Sequence, residues 1–291
     1  LMVDETTKGK KGISGYGEGT VHTILSVDDV ARDAEKLAVD RPSVERLDEL
    51  CEGEALLSIE GLVAGYGKME IIHGFDLRVG SGQSLCLIGP NGAGKSTILH
   101  SIYGFTNITG GSIRMHGKDV TDLSTNEKLK DAGIAYILQD NSVFPDMTVE
   151  ENLLMGGFLK DKPDEAMAAA DKVFEKYGRL RERRNQRAGV LSGGERRLLE
   201  ISRALIMEPA VLLVDEPSIG LEPRFIDMVF EILDDLQNHE GKTIIMVEQN
   251  AKKGLEFADL GYVLVSGELA MAGLGDELLE NPEVGRLFLG G

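Results

Sequence analysis

Cysteine is scarce in this chain, long apolar runs are absent and positive charge is in deficit. The two cysteines, Cys51 and Cys86, stand too far apart in sequence to suggest a metal or redox pair. A disulfide framework is therefore not expected, and a reducing compartment is favoured. No apolar run exceeds a handful of residues, whereas a membrane span needs about 20. The polar start, residues 1–11, has no apolar stretch followed by a small-residue cleavage site, so it does not read as a secretory signal. The five histidines are scattered, without metal-ligand spacing. A formal net charge of −18 argues against the basic face with which nucleic-acid binders neutralise phosphates. No nucleic-acid partner is expected, and the acidity reads as solubility. Together these absences point to a soluble, cytosolic protein.

What is present divides near residue 54. The first 54 residues open on a glycine- and lysine-rich stretch, residues 8–19, expected to be disordered. A charged segment follows, with apolar residues at Val27, Val30, Leu37, Val44, Leu47 and Leu50. Their irregular spacing allows one or two amphipathic helices. Gly9-Lys10 follows no apolar strand and has no hydroxyl residue behind the lysine, so it is not a phosphate loop. Residues 1–54 thus read as an acidic N-terminal extension, and residues 55–291 as the functional domain. There, short apolar runs bounded by glycine alternate with helical stretches, the texture of a nucleotide-binding α/β domain. Expected strands are 56–60, 85–88, 134–138, 211–214, 243–247 and 262–265.

The segment Gly89-Pro90-Asn91-Gly92-Ala93-Gly94-Lys95-Ser96-Thr97 stands between the strand 85–88 and a helical run from Thr97 to Tyr103. That is the context a phosphate loop requires. The glycines let the backbone wrap and aim successive amides at the β- and γ-phosphates, and the new helix turns its positive end toward the same anion. Lys95 reaches the terminal phosphates as a point charge, and the Ser96 hydroxyl is placed to ligate Mg²⁺. Glycines that merely turn a loop do not explain a Gly-Lys-Ser-Thr ending between strand and helix.

A second piece lies downstream, where the apolar run 211–214 ends in Asp215-Glu216. Carboxylates at the end of a buried parallel strand sit where ligands of open α/β sheets bind. Asp215 would hold Mg²⁺, and Glu216 would orient the attacking water as general base. An apolar run ending in charge is common by itself; the phosphate loop gives it meaning.

Between the two lies Leu191-Ser192-Gly193-Gly194-Glu195. Ser192 and the following amides cap a helix and form an anion site. In this order and spacing, the phosphate loop, the Leu-Ser-Gly-Gly-Glu signature and Asp215-Glu216-Pro217-Ser218 resemble ABC ATPases, over about residues 56–289. The resemblance implies a P-loop NTPase fold with a RecA-like parallel-sheet core, an antiparallel β subdomain and a helical signature subdomain. It implies ATP and Mg²⁺ as ligands and a head-to-tail dimer in which each signature closes over the γ-phosphate held by the other subunit. It also places Tyr66 on the adenine ring, Gln139 beside Mg²⁺ and the attacking water, and residues 144–153 against a permease. Residues 218–222 match the loop that crosses the dimer interface, with Glu222 where aspartate is usual.

One position departs from the general pattern. Gln249 stands where most ABC ATPases carry a histidine that contacts the γ-phosphate. A glutamine amide donates a hydrogen bond but carries neither proton nor charge near neutral pH. The Val247-Glu248-Gln249-Asn250 run, Phe144, the Glu150-Glu151-Asn152-Leu153 run and Gly220-Leu221-Glu222-Pro223 are similar to the smaller ATPase subunit of LIV-type branched-chain amino acid importers. Gln139-Asp140-Asn141 replaces the Glu-Gly-Arg stretch common there, and the N-terminal extension is longer. The resemblance implies an importer of branched-chain amino acids or related amide solutes. Its partners would be a second ATPase subunit, identical or different, membrane permease subunits and, indirectly, a solute-binding protein. Its location would be the cytoplasmic face of the cell membrane. The rival reading is a soluble ABC ATPase of an iron–sulfur assembly complex.

Overall fold

Continuous apolar runs flanked by glycine make strands that can be buried on both faces, and five such runs lie side by side in this chain. In the computed structural model, which describes residues 41–139 and 142–289, they form most of a six-stranded sheet. Named in chain order, the strands are β1 (Ala55–Tyr66), β2 (Met69–Gly80), β3 (Ser84–Ile88), β4 (Asn107–Met115), β5 (Lys118–Asp119), β6 (Ile134–Ile137), β7 (Val211–Asp215), β8 (Thr243–Val247), β9 (Leu260–Val265) and β10 (Glu268–Leu274). The larger sheet has the order β10-β9-β3-β8-β7-β6, parallel except for the antiparallel edge strand β10. β2-β1-β4-β5 form a second, wholly antiparallel sheet.

Side-chain alternation along the parallel strands assigns the two faces. Leu85, Leu87, Leu213, Ile245 and Tyr262 pack toward the antiparallel sheet, with Leu57, Ile59, Phe75 and Leu77 opposite. Ile98, Leu99 and Ile102 of the helix Lys95–Tyr103 lie in the same core, so this helix runs between the sheets. Cys86, Ile88, Leu212, Val214, Ile244 and Met246 face the other way, onto the helices Pro223–Asn238 and Ala251–Phe257. A third, separate core joins the helices Val149–Gly156, Pro163–Lys176 and Gly193–Leu205 through Val149, Leu153, Phe174, Leu198 and Leu199. This is the helical signature subdomain.

Four strands went unrecognised as strands in the sequence: β2, β4, β5 and β10. Each has exposed or half-exposed residues along its length, so no continuous apolar run marks it. At the other end of the chain, the helix Val44–Leu50 continues the fold beyond the expected boundary at residue 55. Leu47 and Leu50 enter the core between the sheets. Arg78, itself buried, pairs with Asp48 at 3.2 Å, and Gln83 donates its amide to the Leu50 carbonyl. Residues 1–40, with the glycine–lysine stretch and Val27, Val30 and Leu37, lie outside the described residues, as do Asp140 and Asn141.

Candidate active site

Parallel strands deliver their carboxyl ends to one edge of a sheet, and loops there converge on a common crevice. β3 ends at Ile88 and passes into Gly89, β7 ends at Asp215, β6 leads to Gln139, and β8 leads to Gln249. The phosphate loop is tied to this edge by close backbone approach. Gly89 has φ +147°, and a Cβ there would lie 2.1 Å from the Leu264 carbonyl oxygen. Gly94 has φ +100° as N-cap of the helix Lys95–Tyr103, and a Cβ there would meet Ile72 at 2.7 Å. Both positions therefore require glycine.

The Lys95 ammonium, nine-tenths buried, folds across the loop and donates to the Gly89 and Pro90 carbonyl oxygens at 2.9 and 3.0 Å. Burial pushes its pKa down, while the carboxylates of Glu216 and Asp215 pull it back up. One residue on, the Ser96 hydroxyl donates to Asp215 Oδ1 at 3.0 Å, joining two segments 119 residues apart. Tyr136 donates its hydroxyl to the other carboxylate oxygen, Oδ2, at 2.8 Å. The buried Asp215 is thus oriented from both sides. Glu216 follows with φ +43°, an uncommon conformation for a non-glycine residue, and its amide donates to the Val247 carbonyl at 2.8 Å. Gln139 Nε2 donates to Glu216 Oε2 at 2.7 Å. Lys95, Ser96, Asp215, Glu216 and Gln139 therefore form one constellation.

Tyr66, Gln249 and Ser192 have other surroundings. Tyr66 ends β1, is partly exposed and hydrogen-bonds through its hydroxyl to His100 Nδ1. Gln249 is exposed beyond β8. Ser192 caps the helix Gly193–Leu205: its hydroxyl accepts from the Glu195 amide, and the Glu195 carboxylate accepts from the Ser192 amide at 3.0 Å. Arg183 fixes that carboxylate at 2.6 Å. Gly194 is packed so closely that a Cβ would lie 2.2 Å from Phe225. None of these signature contacts is made with a phosphate-loop residue.

Comparison with known proteins decides the family. The model of the family described as ABC transporter matches residues 72–219, which is more than half of the chain. The high-affinity branched-chain amino acid transport ATP-binding protein BraG of Pseudomonas aeruginosa is 44% identical over 236 residues, 81% of this chain and 100% of its own length. This chain belongs to the ABC transporter ATP-binding family. A second relative of the cassette, a probable branched-chain amino acid transport ATP-binding protein LivF of Archaeoglobus fulgidus, is 37% identical over 79% of this chain and 96% of its own. LivG of Salmonella typhimurium, from the same kind of transport system by its name, is 32% identical over 81% and 98%. Among solved structures, a nucleotide-free ATP-binding cassette from an ABC transporter superposes with a TM-score of 0.72 at 28% identity. That superposition covers 81% of this chain and 100% of the other. The cassette is thus an ABC ATPase that binds ATP, with the α/β architecture of its family.

Sequence reasoning missed three polar residues of the site. Tyr136 lies on β6 in register with Leu213, which brings its hydroxyl to the end of β7. His100, on the phosphate-loop helix, bonds Tyr66 and packs its ring against Tyr136 and Phe105. Glu248 is almost wholly buried and accepts from the Ser218 hydroxyl at 2.7 Å. A polar residue at the close of an apolar strand is the signal for Glu248; Tyr136 carries none, because its role depends on strand pairing.

Proposed function

We propose that the cassette is the ATP-hydrolysing subunit of a membrane importer for branched-chain amino acids or related amide solutes, docked on the cytoplasmic face of the membrane. The observation that carries the reading is the convergence of the phosphate loop, Asp215, Glu216 and Gln139 at the ends of β3, β7 and β6. The transport systems named for the relatives supply the substrate class and favour transport over a soluble assembly ATPase. No helix among the described residues is long and apolar enough to cross a membrane, and the importer reading assigns that task to permease subunits.

The residues divide the work as follows. Tyr66 stacks on adenine, and the amides of residues 89–96 with Lys95 hold the phosphates. The carbonyl contacts of Lys95 can be exchanged for phosphate oxygens as the ammonium swings a short way. Ser96 and Asp215, 3.0 Å apart, with the Gln139 carbonyl, offer hard oxygen donors that fit a magnesium ion. Held there, such an ion would offset negative charge on the phosphates. Glu216 takes the proton of the attacking water, and Gln139 keeps that carboxylate directed. Gln249 donates a neutral hydrogen bond to the γ-phosphate, leaving proton transfer to Glu216. Ser192 and the amides of Gly193 and Gly194, at the positive end of the helix Gly193–Leu205, complete the site of a second subunit.

Gel filtration of the purified Glu216→Gln variant tests this division. With ATP it should elute as a stable dimer, and removing ATP should return it to monomer. A Glu216→Gln variant that stays monomeric and hydrolyses ATP at the wild-type rate would contradict both the base and the shared site.

A further inference from the structure

Glu248 is a buried acid that the mechanism above leaves without a task. It follows β8 directly, with 2% of its surface exposed. Its Oε1 accepts two hydrogen bonds, from the Ser218 hydroxyl at 2.7 Å and from the Asn250 backbone amide at 2.9 Å. Its Oε2 is buried and has no hydrogen-bond partner among the described residues. Beneath it the packing is tight: a Cβ on Gly254 would lie 2.6 Å from Cys86 Sγ and 3.1 Å from Glu248 Cβ.

An incompletely paired carboxylate is costly to bury, and an aliphatic side chain would serve a purely packing role better. Such groups are retained where their placement serves function. The two partners of Oε1 show what that service is. Ser218 lies two residues beyond Glu216, at the head of the loop 218–222. Asn250 adjoins Gln249, and its side chain caps the helix Ala251–Phe257 by accepting from the Lys253 amide. A second tie runs alongside, from the Glu216 amide to the Val247 carbonyl. One oxygen atom therefore joins the loop that leaves Glu216 to the backbone that carries Gln249.

We propose that Glu248 is a positioning residue that clips the loop 218–222 to Gln249, so that docking of a second copy or a related subunit on that loop sets Gln249 against the γ-phosphate. The inference rests on the reading of Gln249 and of the loop given under the proposed function. Glu248 touches no nucleotide in this scheme; it acts through its two neighbours. The clip's hydrogen bonds go to Ser218 and Asn250 and not to the phosphate loop, so nucleotide affinity should depend on it little.

The full-length chain is tested as Glu248→Ala, Glu248→Gln, Ser218→Ala, Gln249→Ala and the Glu248→Ala/Ser218→Ala pair, with binding of a fluorescent ATP analogue as the control for folding. Glu248→Ala should lower kcat roughly 10- to 100-fold, the scale of a misplaced group, with analogue affinity unchanged. Glu248→Gln, which keeps the accepting oxygen, should restore most of the rate. Adding Ser218→Ala to Glu248→Ala should cause no further loss, because Glu248→Ala already removes the bond that Ser218→Ala removes. Independent, multiplying losses, or a loss of affinity with kcat intact, overturn the clip. If Glu248→Ala does not fold, Ser218→Ala against Glu248→Gln decides: the first must slow turnover and the second must not. Gln249→Ala separates the two levels. Full activity there removes the reading of Gln249 and the clip with it, whereas a slow Gln249→Ala beside a fully active Glu248→Ala removes the clip alone.

Discussion

Glu216 sits in a left-handed backbone conformation with its carboxylate held by Gln139, an arrangement suited to aiming a base at one water. Replacing it by Gln keeps the shape and removes the proton acceptor. Steady-state turnover of Glu216→Gln should fall ~10²–10⁴-fold, the usual worth of a general base, with ATP binding retained. Lys95→Ala has the opposite pattern, since the buried ammonium serves binding: equilibrium dialysis should show nucleotide affinity lost. Tyr136→Phe tests the orientation of Asp215. Removing one hydroxyl from a buried carboxylate should cost about 1–3 kcal/mol of stability in urea unfolding, and the Mg²⁺ concentration for half-maximal turnover should rise. At this scale, the phosphate loop, Asp215, Glu216 and Ser192 were legible in the sequence because each is a contiguous string with its own chemistry. Tyr136 was not, because its partner is 79 residues away and only strand pairing brings them together, and Glu248 offered only a polar residue closing an apolar strand, with its partner Ser218 30 residues away.

Elements position these residues, and two of them invite measurement. The helix Lys95–Tyr103 carries Lys95 and Ser96 at one end; at the other, the buried Lys128 donates to the Ile102 and Ser101 carbonyls at 2.8 and 3.4 Å. Burial holds Lys128 down at about 8, below its ordinary 10.5. Between those values the unfolded chain binds more protons than the folded one, so stability rises with pH there and this group adds no slope below about 8. The difference in unfolding free energy between wild type and Lys128→Met should shift in favour of wild type from pH 8 to 10.5, by at most about 1.4 kcal/mol per pH unit. The helix Val44–Leu50 is the second case. Leu47 is fully buried, so Leu47→Ala should destabilise the domain by ~2–5 kcal/mol in chemical denaturation. An amphipathic helix was expected in this segment, but its packing into the domain core was not legible, since no strand or motif stands beside it. The parallel strands β3, β6, β7, β8 and β9 were readable as apolar runs, whereas β2, β4 and β10 show their outer faces to solvent and lose that mark.

At the scale of the whole molecule, the phosphate loop and the signature lie in separate packed units, the sheet core and the helical core. In the proposed reading the signature of another subunit completes the site, and a permease receives the motion. Co-purification from native membranes tests that central claim most directly. The full-length Glu216→Gln chain is tagged, held with ATP to keep the closed state, and its partners are identified by mass spectrometry. Recovery of apolar permease subunits together with a second ATPase is the expected result. Recovery of soluble partners alone would contradict the transport role.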